Sequence, residues 1–309
     1  MKPIIFFLAF TFSFIGCKEQ TKSTLNIEKV YLNPNDTTKN YYTVFQPSNA
    51  SLNGFLFLIP GFGETAESVM QQTDLIEQLV TNGILTIVPT FQDGNLSLGI
   101  DRLSQQTLDE MFQDVVSKYD LENQKFYIGG FSIGGSCSIK YAQNSAVKPV
   151  AVFAIDPPLD FERYYNSAKR KIRLSENRQA NQEEEYMMDR LEKETGGNPQ
   201  THLAEYYALS PYSFSDEQQT AVKKLVNVPL RIYSEPDIDW WMNERGIDFS
   251  GMNITDCAAM INELKRLGND DAVLITTQNK GYRKTGNTKH PHSWSIVDNE
   301  ELIDWLKSL

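Results

Sequence analysis

The chain has 309 residues, of which 40% are hydrophobic and 22% are charged. This composition is that of a folded globular protein and excludes an intrinsically disordered chain. The net charge of -11 at pH 7 is not offset by any basic stripe, so we expect no binding to nucleic acid.

The first residues are typical of a secretory signal. Lys2 precedes an apolar stretch at 4–15, which is followed by Gly16 and Cys17. A membrane-spanning helix needs roughly 20 apolar residues, and this stretch is shorter. The sequence therefore predicts an export signal rather than a spanning helix.

The position of Cys17 makes this segment resemble a bacterial lipoprotein signal, although Phe14 stands where such signals usually carry Leu. The resemblance implies removal of residues 1–16, a lipid on Cys17 and a polar tether over 17–24. The protein would then be anchored to a membrane of the bacterial cell envelope, in the periplasm or at the outer membrane. An ordinary cleaved signal peptide and an uncleaved anchor are the alternatives.

Strands and helices are predicted to alternate along the rest of the chain. Continuous apolar runs that end in turn residues indicate strands buried on both faces of a parallel sheet. Such alternation predicts an α/β fold with a mostly parallel, doubly wound sheet and helices on both faces. Strands are predicted at 27–32, 41–46, 55–59, 84–88, 125–128, 150–155, 230–233 and 272–276, and helices at 68–82, 103–119, 255–267 and 300–306.

One stretch, from about 161 to 226, interrupts this alternation. It contains no convincing strand but has charged helical segments such as 182–194. We interpret it as a helical cap, inserted into a domain over 25–309 and lying over the carboxyl ends of the strands.

A Gly-Phe-Ser-Ile-Gly motif at 130–134 directly follows the strand predicted at 125–128 and precedes a helical stretch. When a strand turns into a helix this abruptly, the residue at the turn is strained and its side chain is exposed. Side chains two residues to either side would clash, which explains Gly130 and Gly134. Ser132 is thus the candidate nucleophile.

From residue 55 to the C-terminus the chain resembles the α/β-hydrolase family, on the strength of this motif between a buried strand and a helix. The resemblance implies a serine hydrolase with a triad in the chain order nucleophile, acid, base. A glycine-rich turn in a doubly wound protein without catalysis is the alternative.

The same resemblance indicates where the oxyanion formed during acyl transfer would bind. One donor is the backbone N–H of Ile133. The family's second donor comes from the loop after an earlier strand, which implies the N–H of Phe62. That loop commonly reads His-Gly-x in the family, and here Pro60 replaces the His.

The chain has three histidines, so the candidates for the base are few. His202 lies within the predicted cap. His290 and His292 follow the last predicted strand, where the family places its histidine. We favour His292, because Ser293-Trp294 after it matches a small residue followed by an aromatic one. The two histidines resemble a zinc-binding pair, but no third ligand is evident, so no metal or cofactor is expected.

The acid is predicted from the segment after the strand at 230–233. The family pattern is a strand followed by Gly-x-x-Asp, which implies Asp237, with Ser234 in place of the Gly. Asp239 and Glu235 are the alternatives in this segment. Some family members take the acid from the preceding strand, which would be Asp156.

Together these residues predict an esterase-like serine hydrolase that acts on a small-molecule or oligomeric ester through Ser132, Asp237 and His292. A peptidase or acyltransferase on the same site and a non-catalytic binding lipoprotein are the alternatives. The sequence leaves open whether Cys137 and Cys257 are two buried thiols or a disulfide.

Overall fold

The computed structural model describes residues 25–47, 51–175 and 181–309. The predicted signal peptide, the tether and Cys17 lie outside the described residues. Within the three described ranges, no helix is both apolar enough and long enough to cross a membrane.

The strands of the described residues are β1 (Asn26–Tyr31), β2 (Tyr41–Gln46), β3 (Gly54–Ile59), β4 (Ile84–Thr90), β5 (Phe126–Phe131), β6 (Ala151–Ile155), β7 (Leu230–Ser234), β8 (Ala272–Thr276), β9 (Tyr282–Arg283) and β10 (Thr288–Lys289). The first eight form one sheet in the order β1-β2-β4-β3-β5-β6-β7-β8, and β9 and β10 form a separate hairpin. From β4 to β8 all neighbours are parallel, whereas β1 and β2 are antiparallel to their neighbours.

The helices are α1 (Ala66–Gln72), α2 (Leu75–Thr81), α3 (Arg102–Lys118), α4 (Ile133–Asn144), α5 (Phe161–Leu174), α6 (Gln182–Thr195), α7 (Leu203–Leu209), the single turn α8 (Ile238–Trp240), α9 (Ile254–Arg266) and α10 (Asn299–Ser308). Helices α3, α4 and α9 pack on one face of the sheet, and α1, α2 and α10 pack on the other. Every residue of β3 and of β5 is buried, as the unbroken apolar run of β3 predicts for a strand covered on both faces.

The single helix predicted at 68–82 is wrong, because α1 and α2 are separate helices. Thr73 has an extended backbone (φ −147°, ψ 153°) and ends α1. Its hydroxyl then accepts a hydrogen bond of 3.2 Å from the N–H of Leu75, at the start of α2. A side chain that bonds nearby backbone groups competes with helix continuation, and the periodicity of the apolar residues does not register this.

The described part of segment 161–226 contains three α-helices, α5, α6 and α7, one short 3-10 helix (Val222–Leu225) and no strand. The three α-helices share a small core of their own, to which Ile133 at the start of α4 also belongs. The segment is therefore packed directly against the turn that carries Ser132.

The two cysteines within the described ranges, Cys137 and Cys257, are both buried and free. Burial raises the pKa of each thiol above its ordinary value, so both stay protonated and act as small apolar side chains.

Candidate active site

Ser132 occupies the sharp turn between β5 and α4, with φ 55° and ψ −127°. Its N–H donates to the carbonyl oxygen of Ile155 at 2.8 Å, which ties the turn to β6. A Cβ added at Gly130 would lie 2.5 Å from the Ile59 oxygen, and one added at Gly134 would lie 2.3 Å from the same atom. The glycines of the motif are thus required by close backbone approach, and the strained residue between them is the serine.

His292 lies against a carboxylate at the end of β6. Its Nδ1 is 2.6 Å from Oδ2 of Asp156. An ionised carboxylate can only accept, so Nδ1 is the donor, and in the neutral ring this arrangement leaves Nε2 with its lone pair. This is the tautomer in which a histidine serves as a general base.

Asp156 is held by hydrogen bonds from two neighbouring elements. The Ser234 hydroxyl, at the end of β7, donates to Oδ1 of Asp156 at 2.6 Å. Asn253, just before α9, donates from Nδ2 to the Asp156 carbonyl oxygen at 2.8 Å. The residue has a positive φ of 46°, and its N–H donates to the Tyr233 oxygen at 2.7 Å. Because these bonds fix the carboxylate, they also fix the ring that donates to it.

The predicted contact between Asp237 and His292 is wrong. The carboxylate of Asp237 caps α8 by accepting from the Trp240 N–H at 3.1 Å, and it forms an ion pair with Lys289. The hydrogen bond from Lys289 holds the pKa of Asp237 below its usual range. The carboxylate at the histidine comes from the preceding strand, as the alternative Asp156 predicted.

The two other acidic candidates also lie elsewhere. Glu235 is buried and accepts hydrogen bonds from the backbone N–H groups of Lys280 and Gly281, so it braces the loop that precedes the histidine segment. Asp239 is exposed at α8. In the sequence all three acids share one short segment, and only the tertiary fold separates their roles.

His290 is close to His292 but has a different environment. Its ring packs on Trp240, with 4.7 Å between ring centroids, and its Nε2 accepts from Nη2 of Arg245 at 3.2 Å. Burial, together with the nearby Arg283 guanidinium, lowers the pKa of His290 to about 4. His290 is therefore neutral at pH 7. The third histidine, His202, precedes α7 and contacts Thr201 instead.

The loop after β3 places Phe62 on the wall of the cavity that holds Ser132. The flanking N–H groups are occupied, since Gly61 donates to Oε2 of Glu64 at 2.8 Å and Gly63 donates to the Asn95 oxygen at 2.8 Å. The N–H of Ile133 lies in the first turn of α4, where helical N–H groups lack intrahelical partners. Both Phe62 and Ile133 line the same cavity as Ser132.

Glu64 was missed by the sequence analysis, yet it joins the two halves of the site. Besides the Gly61 N–H, its carboxylate accepts from Nε1 of buried Trp294, at 3.0 Å to Oε1. The loop that carries Phe62 is thereby connected to the segment that carries His292. An acid four residues after a Pro at the end of a strand gives no recognisable signal in the sequence.

A cavity of ≈ 180 Å³ brings these groups together. Ser132, Asp156 and His292 lie on its wall, and side chains of α5 and α6 also line it. Trp241 also lines the cavity, whereas Trp240 packs on His290. Among the described residues, no group of three or more His, Cys, Asp or Glu side chains is arranged to hold a metal ion.

Neither the known protein-family models nor the curated proteins give a match to this sequence. Solved structures do match. An S-formylglutathione hydrolase from Agrobacterium tumefaciens is 12% identical, with a TM-score of 0.57 over 92% of this chain and 94% of its own. A fluorophosphonate-binding serine hydrolase from Staphylococcus aureus, solved with substrate bound, is 14% identical, with a TM-score of 0.53 over 92% and 98%.

An acylaminoacyl peptidase from Pyrococcus horikoshii is 10% identical, with a TM-score of 0.54 over 82% of this chain. This chain spans only 36% of that protein's length. The chain has the α/β-hydrolase fold. At such low identities the likeness concerns the fold, so the chemistry has to be argued from the site itself.

The α/β-hydrolase fold accounts for the positions of the site residues. Parallel strands β5, β6 and β7 end at the same edge of the sheet, and they bring Ser132, Asp156 and Ser234 side by side there. Binding sites in open α/β sheets lie at this carboxyl edge.

Proposed function

We propose that this protein is a serine hydrolase that cleaves carboxylic esters. The observation that carries the proposal is a strained Ser132 on the wall of the cavity that also holds His292, whose Nδ1 lies 2.6 Å from Asp156. In this proposal Ser132 is the nucleophile, His292 the general base and Asp156 the residue that orients and stabilises the imidazolium.

The reaction proceeds in two acyl transfers. Nε2 of His292 takes the proton of Ser132, and Oγ forms a bond to the carbonyl carbon of the ester. The N–H groups of Phe62 and Ile133 stabilise the oxyanion. The C–O bond to the alcohol breaks as His292 returns the proton to the leaving oxygen. Water then repeats these steps on the acyl-enzyme, releasing the acid and restoring Ser132.

Fluorophosphonate labelling tests the proposal directly, because this reagent requires an activated serine. We expect one adduct per chain, located on the peptide that contains Ser132 by mass spectrometry, and no adduct in Ser132→Ala. An adduct formed equally well in that variant would contradict the assignment. A folded protein that neither labels nor hydrolyses a panel of esters would favour the non-catalytic binding alternative.

A peptidase and an acyltransferase would use the same catalytic groups as an esterase. The three classes differ in the leaving group of the substrate and in the molecule that accepts the acyl group. Matched ester and anilide substrates with a common acyl group separate the first alternative, and an added alcohol acceptor separates the second. We expect turnover of the ester to exceed that of the anilide, with water as the main acceptor. A preference for the anilide would favour a peptidase.

We further propose that the protein is exported and anchored to a membrane through a lipid on Cys17. The support is the apolar stretch at 4–15 followed by Gly16 and Cys17. Metabolic labelling with a fatty acid analogue in a bacterial host is expected to mark the wild type and not Cys17→Ser. Equal labelling of both forms, or none of the wild type, would contradict the anchor.

A further inference from the structure

Arg245 lies on the wall of the candidate active site. It ends a π-helical turn, Trp241–Arg245, and Gly246 after it has a left-handed backbone (φ 62°) that turns the chain back. Trp241, Arg245 and Gly246 all line the cavity that holds Ser132 and His292. π-Helical turns are rare and are frequent at functional sites.

Among the described residues, three cations lie on this wall, and Arg245 differs from Arg170 and Lys171 in its partners. Arg170 pairs with Asp248 at 2.7 Å, and Lys171 pairs with Glu184. In the three described ranges, no carboxylate lies within ion-pair distance of Arg245. No carboxylate of the described ranges therefore neutralises the charge of Arg245, whose side chain is exposed.

The hydrogen bond to His290 positions the guanidinium without neutralising it. His290 accepts from Nη2 of Arg245 at 3.2 Å, and because its pKa is lowered to about 4 it carries no charge at pH 7. The Trp240 ring lies 6.0 Å from the guanidinium carbon and adds a second, uncharged contact. The described residues supply no further hydrogen-bond acceptor for this guanidinium, so its remaining N–H groups can bind a ligand.

Besides the carboxylate of Asp156, two further charges bear on this wall. Arg283 is half-buried. Its positive charge lowers the pKa of His290, and it repels the guanidinium of Arg245, which has the same charge. Glu183 on α6 lines the cavity and has no ion pair among the described residues; like Arg245 it is exposed, so water screens both charges. An anion next to Arg245 would also reduce the repulsion between the two guanidinium groups.

We propose that Arg245 binds a carboxylate carried by the substrate, so that the site selects anionic esters over neutral esters of the same size. The proposal rests on the ester hydrolase function above and adds its substrate class. A planar guanidinium matches a carboxylate with parallel hydrogen bonds, which gives both affinity and orientation.

Matched ester pairs provide the test. The first pair is the 4-nitrophenyl monoester of glutaric acid and 4-nitrophenyl pentanoate, which differ by a carboxylate on the acyl side. The second pair is 3-acetoxybenzoate and phenyl acetate, which differ by a carboxylate on the leaving group. For one of these pairs we expect Arg245→Gln to lower the ratio of kcat/KM, anionic over neutral, by about 10- to 100-fold.

Two variants serve as controls. Arg245→Lys keeps the charge but not the planar fork, so an intermediate ratio is expected. Arg102→Gln makes the same change in net charge at exposed Arg102 on α3, away from the cavity, and is expected to leave both ratios within about twofold. A similar fall of the ratio in Arg102→Gln would show that the effect comes from net charge alone, and this would overturn the proposal.

A binding measurement separates this proposal from the proposed function. Calorimetry in the Ser132→Ala background follows the binding of the anionic ester without turnover. We expect Arg245→Gln to weaken that binding about tenfold or more. Unchanged binding, or ratios unchanged for both ester pairs, overturns the role of Arg245 even if esters are hydrolysed. Carboxylate binding that depends on Arg245 in a protein without turnover overturns the hydrolase function alone.

Discussion

Replacing His292 with glutamine is expected to lower kcat for an ester by roughly 10⁴-fold or more, with little change in KM. Glutamine keeps a polar side chain beside Asp156 but has no basic nitrogen for the proton of Ser132. Steady-state kinetics with a 4-nitrophenyl ester measure the loss, and circular dichroism checks that the variant is folded.

The neighbouring histidines provide the controls. His290→Gln is expected to lose far less activity, under about tenfold, because that imidazole contacts Arg245 rather than the reacting groups. His202→Gln, beside α7, is expected to keep the wild-type rate. The double variant Ser132→Ala/His292→Gln should be no slower than either single variant, since the two residues act as a unit. Equal losses of kcat in His290→Gln and His292→Gln would contradict the assignment of the base.

Replacing Asp156 with asparagine is expected to lower kcat by about 10³- to 10⁴-fold. The amide can donate to Nδ1 of His292, which would move the ring proton to Nε2 and block the base. The bonds from Ser234 and Asn253 hold the segment in place, so the fold is expected to be retained. The pH profile of kcat, measured beside that of the wild type, reports the altered histidine.

Asp237→Asn is the matched control, because it makes the same chemical change at the acid favoured by the sequence pattern. Its partner Lys289 is partly exposed, and exposed ion pairs contribute little to stability. We expect kcat to change less than about threefold. A large loss of kcat in Asp237→Asn, together with an active Asp156→Asn, would show that Asp237 is the acid, as the sequence pattern predicts.

Local signals in the sequence were sufficient for most of the fold. Unbroken apolar runs such as β3 predicted strands buried on both faces. The division between α1 and α2 could not be predicted from periodicity, because it depends on the extended backbone at Thr73. Short-range patterns therefore identified the elements better than their ends.

Local sequence signals fail to predict which carboxylate contacts His292. Asp156 and Asp237 both follow strands that end at the same edge of the sheet, so either sequence position is compatible with a triad. Ser234 differs from the family's glycine at this point, and in the structure its hydroxyl donates to Asp156. Ser234, the residue that departs from the family pattern, thus lies on the strand that donates a hydrogen bond to the carboxylate. The carboxylate itself follows the neighbouring strand, β6.

The sequence by itself determined the sharp turn at Ser132, since a strand that reverses into a helix needs glycines on both sides of this residue and such crowding is local. It also limited the base to a few histidines. Only the tertiary structure decided which carboxylate meets His292, that Glu64 joins the two loops, and that Arg245 has no acidic partner in the described ranges. These contacts link residues far apart in the chain, and their geometry depends on how whole strands and loops pack rather than on any neighbouring residue type.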